Sequence, residues 1–312
     1  MKTALAPTDV APGERRDPRE WTTRQRRKND VVYALVRAGV AFAAVAPPAL
    51  VRAACAGLAL AAWAAMPTTR RRVRARLRGA ARPESSMRAF LDAGATLAGM
   101  AALFRPNERA RRSLTIDDAS RDAFRSALDE GRGVVFVSAH LGPWERMAAL
   151  LVEEGFPVAT VARESYDPRL TACVYERLRA ARGVRSIYLG DPRLATGVVR
   201  ELVAGRAVGF LVDLPGRVES IAATLFAAPA RLPVGPARVA LARRAAVVVG
   251  TAPRGRVTIS RVATADLAPG AEGEAALLAR IAAEVDRRIT GAPTEWLGLF
   301  APPIFPPSEG SR

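Results

Sequence analysis

The chain has 312 residues, of which half are hydrophobic and 25% are charged, and its mean hydropathy is +0.06. This composition excludes a largely disordered chain and a membrane protein built of many apolar spans, and the length allows one large α/β domain or two smaller domains. Lysine and arginine total 47 against 30 acidic residues, a net charge of +17, which favours a polyanionic partner such as nucleic acid, anionic lipid or an acidic protein.

The two ends of the chain are predicted to be tails. Residues 1–30 are polar and basic and show no apolar period, which indicates a flexible segment. Residues 301–312 are rich in proline, which is typical of an extended segment.

A strongly apolar segment follows the first tail over residues 31–66, interrupted by Arg37, Arg52 and the pair Pro47-Pro48. Neither half reaches the roughly 20 apolar residues of a membrane-spanning helix. Arginines flank both ends, and the positive-inside rule would place both on the cytoplasmic side. The pattern favours a helical hairpin or an interfacial helix pair, with one kinked span or a buried alanine-rich helix pair as alternatives. We therefore predict that residues 31–82, including the basic flank, form a membrane-associated helical segment.

Residues 83–300 show the alternation of strands and helices typical of a soluble domain. Short apolar runs predict strands at residues 134–137, 157–161, 208–212 and 246–250, and one more strand is predicted near residues 256–262. Helical periods run through residues 85–103, 117–128, 144–154, 169–181, 194–204, 236–244 and 272–289. Because the strands are apolar on both faces, we predict an α/β fold with a largely parallel or mixed sheet flanked by helices.

The single histidine, His140, follows the strand predicted at residues 134–137 and precedes a helix with Pro143 at its start. Open α/β sheets bind ligands at the carboxyl ends of their strands. Glu145 lies five residues further on, in the first helical turn, where the helix dipole favours an ionised carboxylate. If the carboxylate pairs with the ring, it fixes the tautomer and leaves the other nitrogen free to take a proton. A purely structural histidine is the alternative.

Other kinds of site are disfavoured by the same inventory. No G-x-S-x-G elbow is present, since Ser138 is not placed between glycines. Cys173 lies in a predicted helix with no second histidine to activate it, and with Cys55 it makes only two cysteines, too few for a disulfide scaffold or a cysteine-rich zinc site. We expect no metal.

The six residues from His140 to Glu145 resemble the H-x-x-x-x-D/E block of lysophospholipid acyltransferases, in the H-F-G-N-W-E form of the bacterial lipid A biosynthesis lauroyl/myristoyl acyltransferase family. Other residues resemble that family in the same order along the chain: Arg163 with Pro168, Arg179 with Gly183, Asp213 to Arg217, Leu225 to Arg243, and Glu295 to Leu297. The resemblance covers most of residues 31–300 and includes the apolar N-terminal segment.

The resemblance implies direct transfer of an acyl group from an acyl carrier protein or coenzyme A thioester to a hydroxyl of a lipid or sugar, without an acyl-enzyme. His140 would be the general base and Glu145 its orienting partner, and no cofactor is needed beyond the thioester co-substrate. The residues expected to bind substrate are Arg163, Gly142, Trp144, Asp213 and Arg217. Gly142 would offer a backbone N–H to the oxyanion, and Arg163 would bind a phosphate or the donor's phosphopantetheine, unless it is a surface arginine. Asp213 and Arg217 would alternatively form a local ion pair in a turn.

A lipid A precursor at the cytoplasmic face of the inner membrane is the acceptor that the resemblance implies, with a role in lipopolysaccharide biosynthesis. Leu141 and Pro143 replace an aromatic residue and an asparagine of the family block, and residues 298–303 replace a basic cluster. Another acceptor, such as a phosphatidylinositol mannoside or a lysophospholipid, is therefore an alternative.

Two non-enzymatic alternatives are a basic nucleic-acid-binding protein and an inactive membrane adaptor. The densest arginine run adjoins an apolar segment and is not interleaved with aromatic residues, which total 6% of the chain. We therefore expect no nucleic-acid partner.

Overall fold

A computed structural model describes residue 18, residues 21–214 and residues 218–301. The predicted C-terminal tail beyond residue 301, most of the predicted N-terminal tail, and Arg217 lie outside the described residues.

In the described part of the chain, four α-helices precede the sheet: α1 (Thr23–Val45), α2 (Pro48–Ala65), α3 (Pro67–Gly79) and α4 (Ser86–Ala101). The prediction of a flexible tail up to residue 30 is wrong for its last part, because α1 begins at Thr23. Thr22 caps this helix: its hydroxyl accepts a hydrogen bond from the backbone N–H of Gln25, whose side chain accepts from the N–H of Thr22. This reciprocal capping box satisfies two N–H groups that would otherwise lack partners.

The pair Pro47-Pro48 separates α1 from α2, as the break in the apolar segment predicts, because proline cannot donate the hydrogen bond that would continue a helix. Helix α2 packs against α4 at Gly94, where an added Cβ would lie 2.8 Å from the carbonyl oxygen of Cys55. By length and composition, two stretches qualify as membrane spans, Pro48–Ala65 and Ser86–Phe104.

Among the described residues, seven strands form one sheet in the order β1-β9-β8-β2-β5-β3-β4. Neighbouring strands are parallel except β8 and β9, which are antiparallel, so the predicted mixed α/β sheet is confirmed. A separate antiparallel hairpin pairs β6 with β7. The strands are β1 (Thr115–Ile116), β2 (Val134–Ser138), β3 (Val158–Ala162), β4 (Arg185–Tyr188), β5 (Ala207–Leu211), β6 (Ser220–Leu225), β7 (Ala228–Pro233), β8 (Ala246–Thr251) and β9 (Arg256–Val262).

Helices cover the sheet: α5 (Asp118–Asp129), α6 (Trp144–Glu153), α7 (Pro168–Leu170), α8 (Arg177–Ala180), α9 (Leu194–Val203), α10 (Gly235–Arg243) and α11 (Ala271–Gly291). The single helix predicted over residues 169–181 is interrupted, because a π-helix at Thr171–Glu176 separates α7 from α8. Extra residues of this kind inside a helix are frequent at functional sites.

The strand order decides where the site lies. Strand β2 is buried along its whole length, with β8 on one side and β5 on the other, and β3 pairs with the far side of β5. Because β2, β5 and β3 are parallel, their carboxyl ends meet at one edge of the sheet. His140, Asp213 and Arg163 each follow one of these three strands by one or two residues.

Candidate active site

The ring of His140 pairs with the carboxylate of Asp213. Nδ1 of His140 lies 2.8 Å from Oδ1 of Asp213, and the backbone N–H of His140 donates to Oδ2 at 2.9 Å. An ionised carboxylate can only accept hydrogen bonds, so this contact places the ring proton on Nδ1 and leaves Nε2 with its lone pair.

Asp213 is held in place by a third donor, the indole Nε1 of Trp296, 2.7 Å from Oδ2. Its side chain is fully buried. Burial alone would raise the pKa of Asp213, but the electrostatic interaction with His140 and the hydrogen bonds from His140 and Trp296 outweigh burial, and the pKa is lowered from its ordinary value. Asp213 is therefore a permanent carboxylate at neutral pH.

The free edge of the His140 ring is open. The side chain is 18% exposed, and among the described residues none donates a hydrogen bond to Nε2 or accepts one from it. The ring of Trp144 packs edge-on against it, with ring centroids 4.7 Å apart and an interplanar angle of 72°. Together, Asp213 behind the ring and Trp144 beside it fix its orientation while Nε2 stays available.

A tight turn after β2 sets this geometry. Gly142 has φ +71°, and a Cβ at this position would lie 2.3 Å from the carbonyl oxygen of Ala252. Only glycine fits both the backbone conformation and the close approach. The N–H of Gly142 donates to the carbonyl of Glu295 at 3.3 Å.

Glu145 does not contact His140, and the prediction that it orients the ring is wrong. Its carboxylate is buried in α6 and forms a two-point ion pair with Arg179 of α8, with Nε of Arg179 2.9 Å from Oε2. Burial alone would lower the pKa of Arg179, but Glu145 more than compensates and the pKa is raised. The guanidinium also lies over the ring of Tyr175, 5.4 Å from its centroid. Glu145 thus fastens the first turn of α6 to the segment after β3.

The remaining predicted site residues divide into three groups. Arg163 is exposed at the end of β3 and forms no ion pair with any residue in the described ranges, so it is available at the same edge as His140. Asp213, predicted to bind substrate, has a buried side chain that pairs with the ring of His140. Arg217 lies in the three-residue gap that the structure does not describe.

Trp296 is the site residue that the sequence analysis did not assign. The signal for it in the sequence is its place in the segment from Glu295 to Leu297 that resembles the family, and this resemblance gives no contact. In the structure the backbone of Trp296 forms an antiparallel β-bridge with Leu141, next to His140. Its indole Nε1–H donates a hydrogen bond to Asp213. Within the described ranges, no group of three or more His, Cys, Asp or Glu side chains is placed to hold a metal ion.

Comparison with known proteins identifies the family. A search of curated proteins gives no significant match. The sequence model of bacterial lipid A biosynthesis acyltransferases matches residues 22–300, which span α1 and continue almost to the end of the described chain. The chain therefore belongs to the bacterial lipid A biosynthesis acyltransferase family.

Proposed function

We propose that this acyltransferase moves a fatty acyl group from an acyl carrier protein or coenzyme A thioester to a hydroxyl of a lipid A precursor or similar glycolipid, with His140 as general base. The observation that carries the proposal is the His140 ring, held by Asp213 through Nδ1 while Nε2 stays open at the edge of the sheet. Family membership supports the reaction class.

The reaction needs one group that takes a proton and later returns it. Nε2 of His140 removes the proton of the acceptor hydroxyl as its oxygen attacks the thioester carbonyl carbon. When the tetrahedral intermediate collapses, the carbon–sulfur bond breaks and the imidazolium gives its proton to the departing thiolate. General-base catalysis of this kind contributes roughly 10²- to 10⁴-fold in rate. The carboxylate of Asp213 stabilises the imidazolium that forms in between.

Arg163 is proposed to bind the phosphate-bearing part of the donor. Its exposed guanidinium follows β3, two strands from His140 in the sheet order, and has no carboxylate partner within the described part of the chain. A planar guanidinium matches the geometry of a phosphate, and an unpaired one does not have to give up another ion pair to bind it.

Attachment to the cytoplasmic face of the inner membrane is the third part of the proposal. Helices α1 and α2 expose large apolar side chains, among them Leu35, Val45 and Leu58 at 68%, 83% and 64%. Exposed large apolar side chains concentrated on two helices support an interaction site there. The arginines of α3 follow it directly and suit anionic lipid headgroups.

The experiment that tests the function is incubation of the purified chain with defined acyl thioesters and candidate acceptors, read by product mass. The expected result is an acceptor heavier by one acyl group and release of one free thiol. Separate reactions with a lipid A precursor, a phosphatidylinositol mannoside and a lysophospholipid identify the acceptor. If thioester is consumed only by hydrolysis with every acceptor, the proposed transfer is wrong.

A further inference from the structure

The segment that follows α11, residues 292–301, crosses the active-site turn, and we call it the strap. The backbone N–H of Leu297 donates to the carbonyl of His140 at 2.9 Å. The indole Nε1–H of Trp296, one residue earlier, donates to the carboxylate of Asp213. Strand pairing brings Asp213 beside the ring, and the strap adds a donor that fixes how the carboxylate is turned. The strap therefore contacts both members of the His140–Asp213 pair.

Two arginines of α3 hold the end of the strap. Nη1 of Arg76 donates to the carbonyl of Gly298, and Nη1 of Arg72 lies 3.3 Å from the carbonyl oxygen of Phe300. The two arginines are one helical turn apart and so share a face of α3. The ring of Phe300 packs edge-on against Phe90 of α4, with ring centroids 4.9 Å apart. The strap is thus fastened to the N-terminal helices as well as to the active-site turn.

The contact between Arg76 and the strap compensates a partly buried charge. Among the described residues, no carboxylate pairs with Arg76. Burial lowers the pKa of its guanidinium, and the neighbouring charge of Arg72 lowers it further. A cation withdrawn from water requires hydrogen-bond acceptors, and the carbonyl of Gly298 is the one that the strap supplies. Arg74 and Arg78 of the same helix are exposed instead.

Gly298 lies directly against the indole of Trp296. A Cβ added at Gly298 would be 2.1 Å from Cε2 of the indole. The backbone that Arg76 holds is therefore in contact with the ring that donates to Asp213 at 2.7 Å. One series of contacts runs from α3 to the catalytic ring: Arg76, Gly298, Trp296, Asp213 and His140.

We propose that Arg76 is a positioning residue of acyl transfer: by holding the strap, it keeps Trp296 against Asp213. The carboxylate then stays directed at the ring of His140. The inference rests on the proposed function, because this positioning affects turnover only if His140 acts in the reaction. It also divides the arginines of α3 by task, since Arg76 faces the strap while the exposed arginines remain available to lipid headgroups.

The first measurement follows the indole N–H signal of Trp296 by NMR in the full-length chain with ¹⁵N-labelled tryptophan. The chain has four tryptophans, and Trp296→Phe assigns the signal by its loss. Arg76→Met removes the donor to Gly298 and keeps an apolar stem. It is expected to shift the signal and to speed its hydrogen exchange by about tenfold or more. Arg74→Met, the matched control on the same helix, should leave the signal unchanged.

The second measurement is steady-state kinetics with one thioester donor and the acceptor that the wild type uses. Arg76→Met is expected to lower kcat by about tenfold with KM nearly unchanged, a smaller loss than the roughly 10²-fold expected for Asp213→Asn. Arg76→Lys keeps a charged donor for a single carbonyl and should recover most of the loss. In the Asp213→Asn background, Arg76→Met should cost little more, because both changes act through one carboxylate. Arg125→Met, at an exposed position of α5, should leave kcat unchanged.

Three results would overturn the proposal: an unchanged indole signal in a folded Arg76→Met, a wild-type kcat in that variant, or a kcat loss that adds in full to that of Asp213→Asn. If Arg76→Met does not fold, Arg76→Gln takes its place in both measurements, because its side chain is too short to reach the carbonyl of Gly298. The indole measurement requires no turnover. If the indole responds as expected but the wild type acylates no acceptor, the proposed function fails while the contacts from Arg76 to Asp213 stand.

Discussion

Nδ1 of His140 lies 2.8 Å from Oδ1 of Asp213, a residue 73 positions further along the chain. The contact joins the ends of β2 and β5, which are hydrogen-bonded neighbours in the sheet. The orientation of the ring is thus fixed by strand pairing in the core and does not depend on the helix that follows it. This arrangement separates the residue that orients His140 from the residue, Glu145, that secures the helix.

Asp213→Asn is expected to lower kcat by roughly 10²-fold or more, because the amide no longer stabilises the imidazolium, while KM changes little. The side chain of Asp213 is fully buried and pairs with the ring, so we expect its effect on the reaction to pass through His140. Steady-state kinetics with a thioester donor and a lipid acceptor provide the measurement, with thermal melting to check the fold. An unchanged kcat in a folded variant would mean that Asp213 does not serve the ring.

Glu145→Gln is expected to act mainly on stability. Removing one partner of a buried ion pair leaves Arg179 uncompensated, which costs about 3–5 kcal/mol. The side chains of Glu145 and Arg179 are only 9% and 7% exposed, so solvent gives little relief. Denaturant unfolding gives the magnitude. The double variant Glu145→Gln with Arg179→Met is the control and should recover part of the loss. If Glu145→Gln had a kcat near zero but the stability of the wild type, Glu145 would be needed for catalysis.

Gly142→Ala is expected to destabilise the chain and to reduce turnover together. The alanine would have to adopt φ +71° and would bring Cβ within 2.3 Å of the carbonyl oxygen of Ala252, and backbone strain alone is worth about 1–3 kcal/mol. Gly131→Ala is the matched control, since Gly131 has φ +73° and open space around it. If both variants lose the same stability and both keep full activity, the close approach of the turn is not what positions His140.

Leu35→Glu and Leu58→Glu are expected to reduce flotation of the chain with vesicles of anionic phospholipid. Both leucines are exposed on the apolar N-terminal helices, at 68% and 64%, and burying a carboxylate in the acyl region is unfavourable. Val203→Glu, on α9, is a control with 63% exposure. Equal flotation of all three variants would place the membrane contact elsewhere.

Acid pH is expected to weaken the packing of α11 on β9 through Glu284. Burial alone would raise the pKa of Glu284, but hydrogen bonds from Arg287 and Ser260 and the charge of Arg288 lower it to about 2 from an ordinary 4.5. Because the pKa is lowered in the folded state, the stabilisation is present above pH 4.5 and is lost as the pH falls toward 2.

Thermal melts of Glu284→Gln and the wild type between roughly pH 6 and pH 2.5 measure how much the ionised Glu284 stabilises the fold. The difference in melting temperature should be largest at pH 6 and should shrink on acidification. Glu272→Gln, at an exposed position in the first turn of α11, is the control and should show no such trend. A constant difference for Glu284→Gln would contradict the role of its ionised form.

The sheet and the position of His140 are predictable from the sequence because their signals are local. Buried parallel strands appear as β-branched apolar runs, and β2 and β8 are of this kind. The edge strand β4 has polar residues, and the hairpin β6–β7 is rich in alanine and proline, so neither has a strong strand pattern.

The partner of His140 is not predictable from spacing. Glu145 lies only five positions from His140 across a turn, and this short separation makes it the obvious candidate for the partner of the ring. Arg179, from beyond β3, captures that carboxylate, whereas strand pairing brings Asp213 to the ring. Which of the two carboxylates pairs with His140 depends on contacts between residues far apart in the sequence, and no local sequence pattern indicates those contacts.

The most direct test of the central claim is acyl transfer by purified His140→Ala beside the wild type, with one thioester donor and the acceptor that the wild type uses, read by product mass. The wild type should yield acylated acceptor, and the variant should fold normally, still bind the acyl chain, and lose roughly 10²- to 10⁴-fold in rate. Product formed by a folded His140→Ala at the wild-type rate would show that the imidazole takes no proton in this reaction.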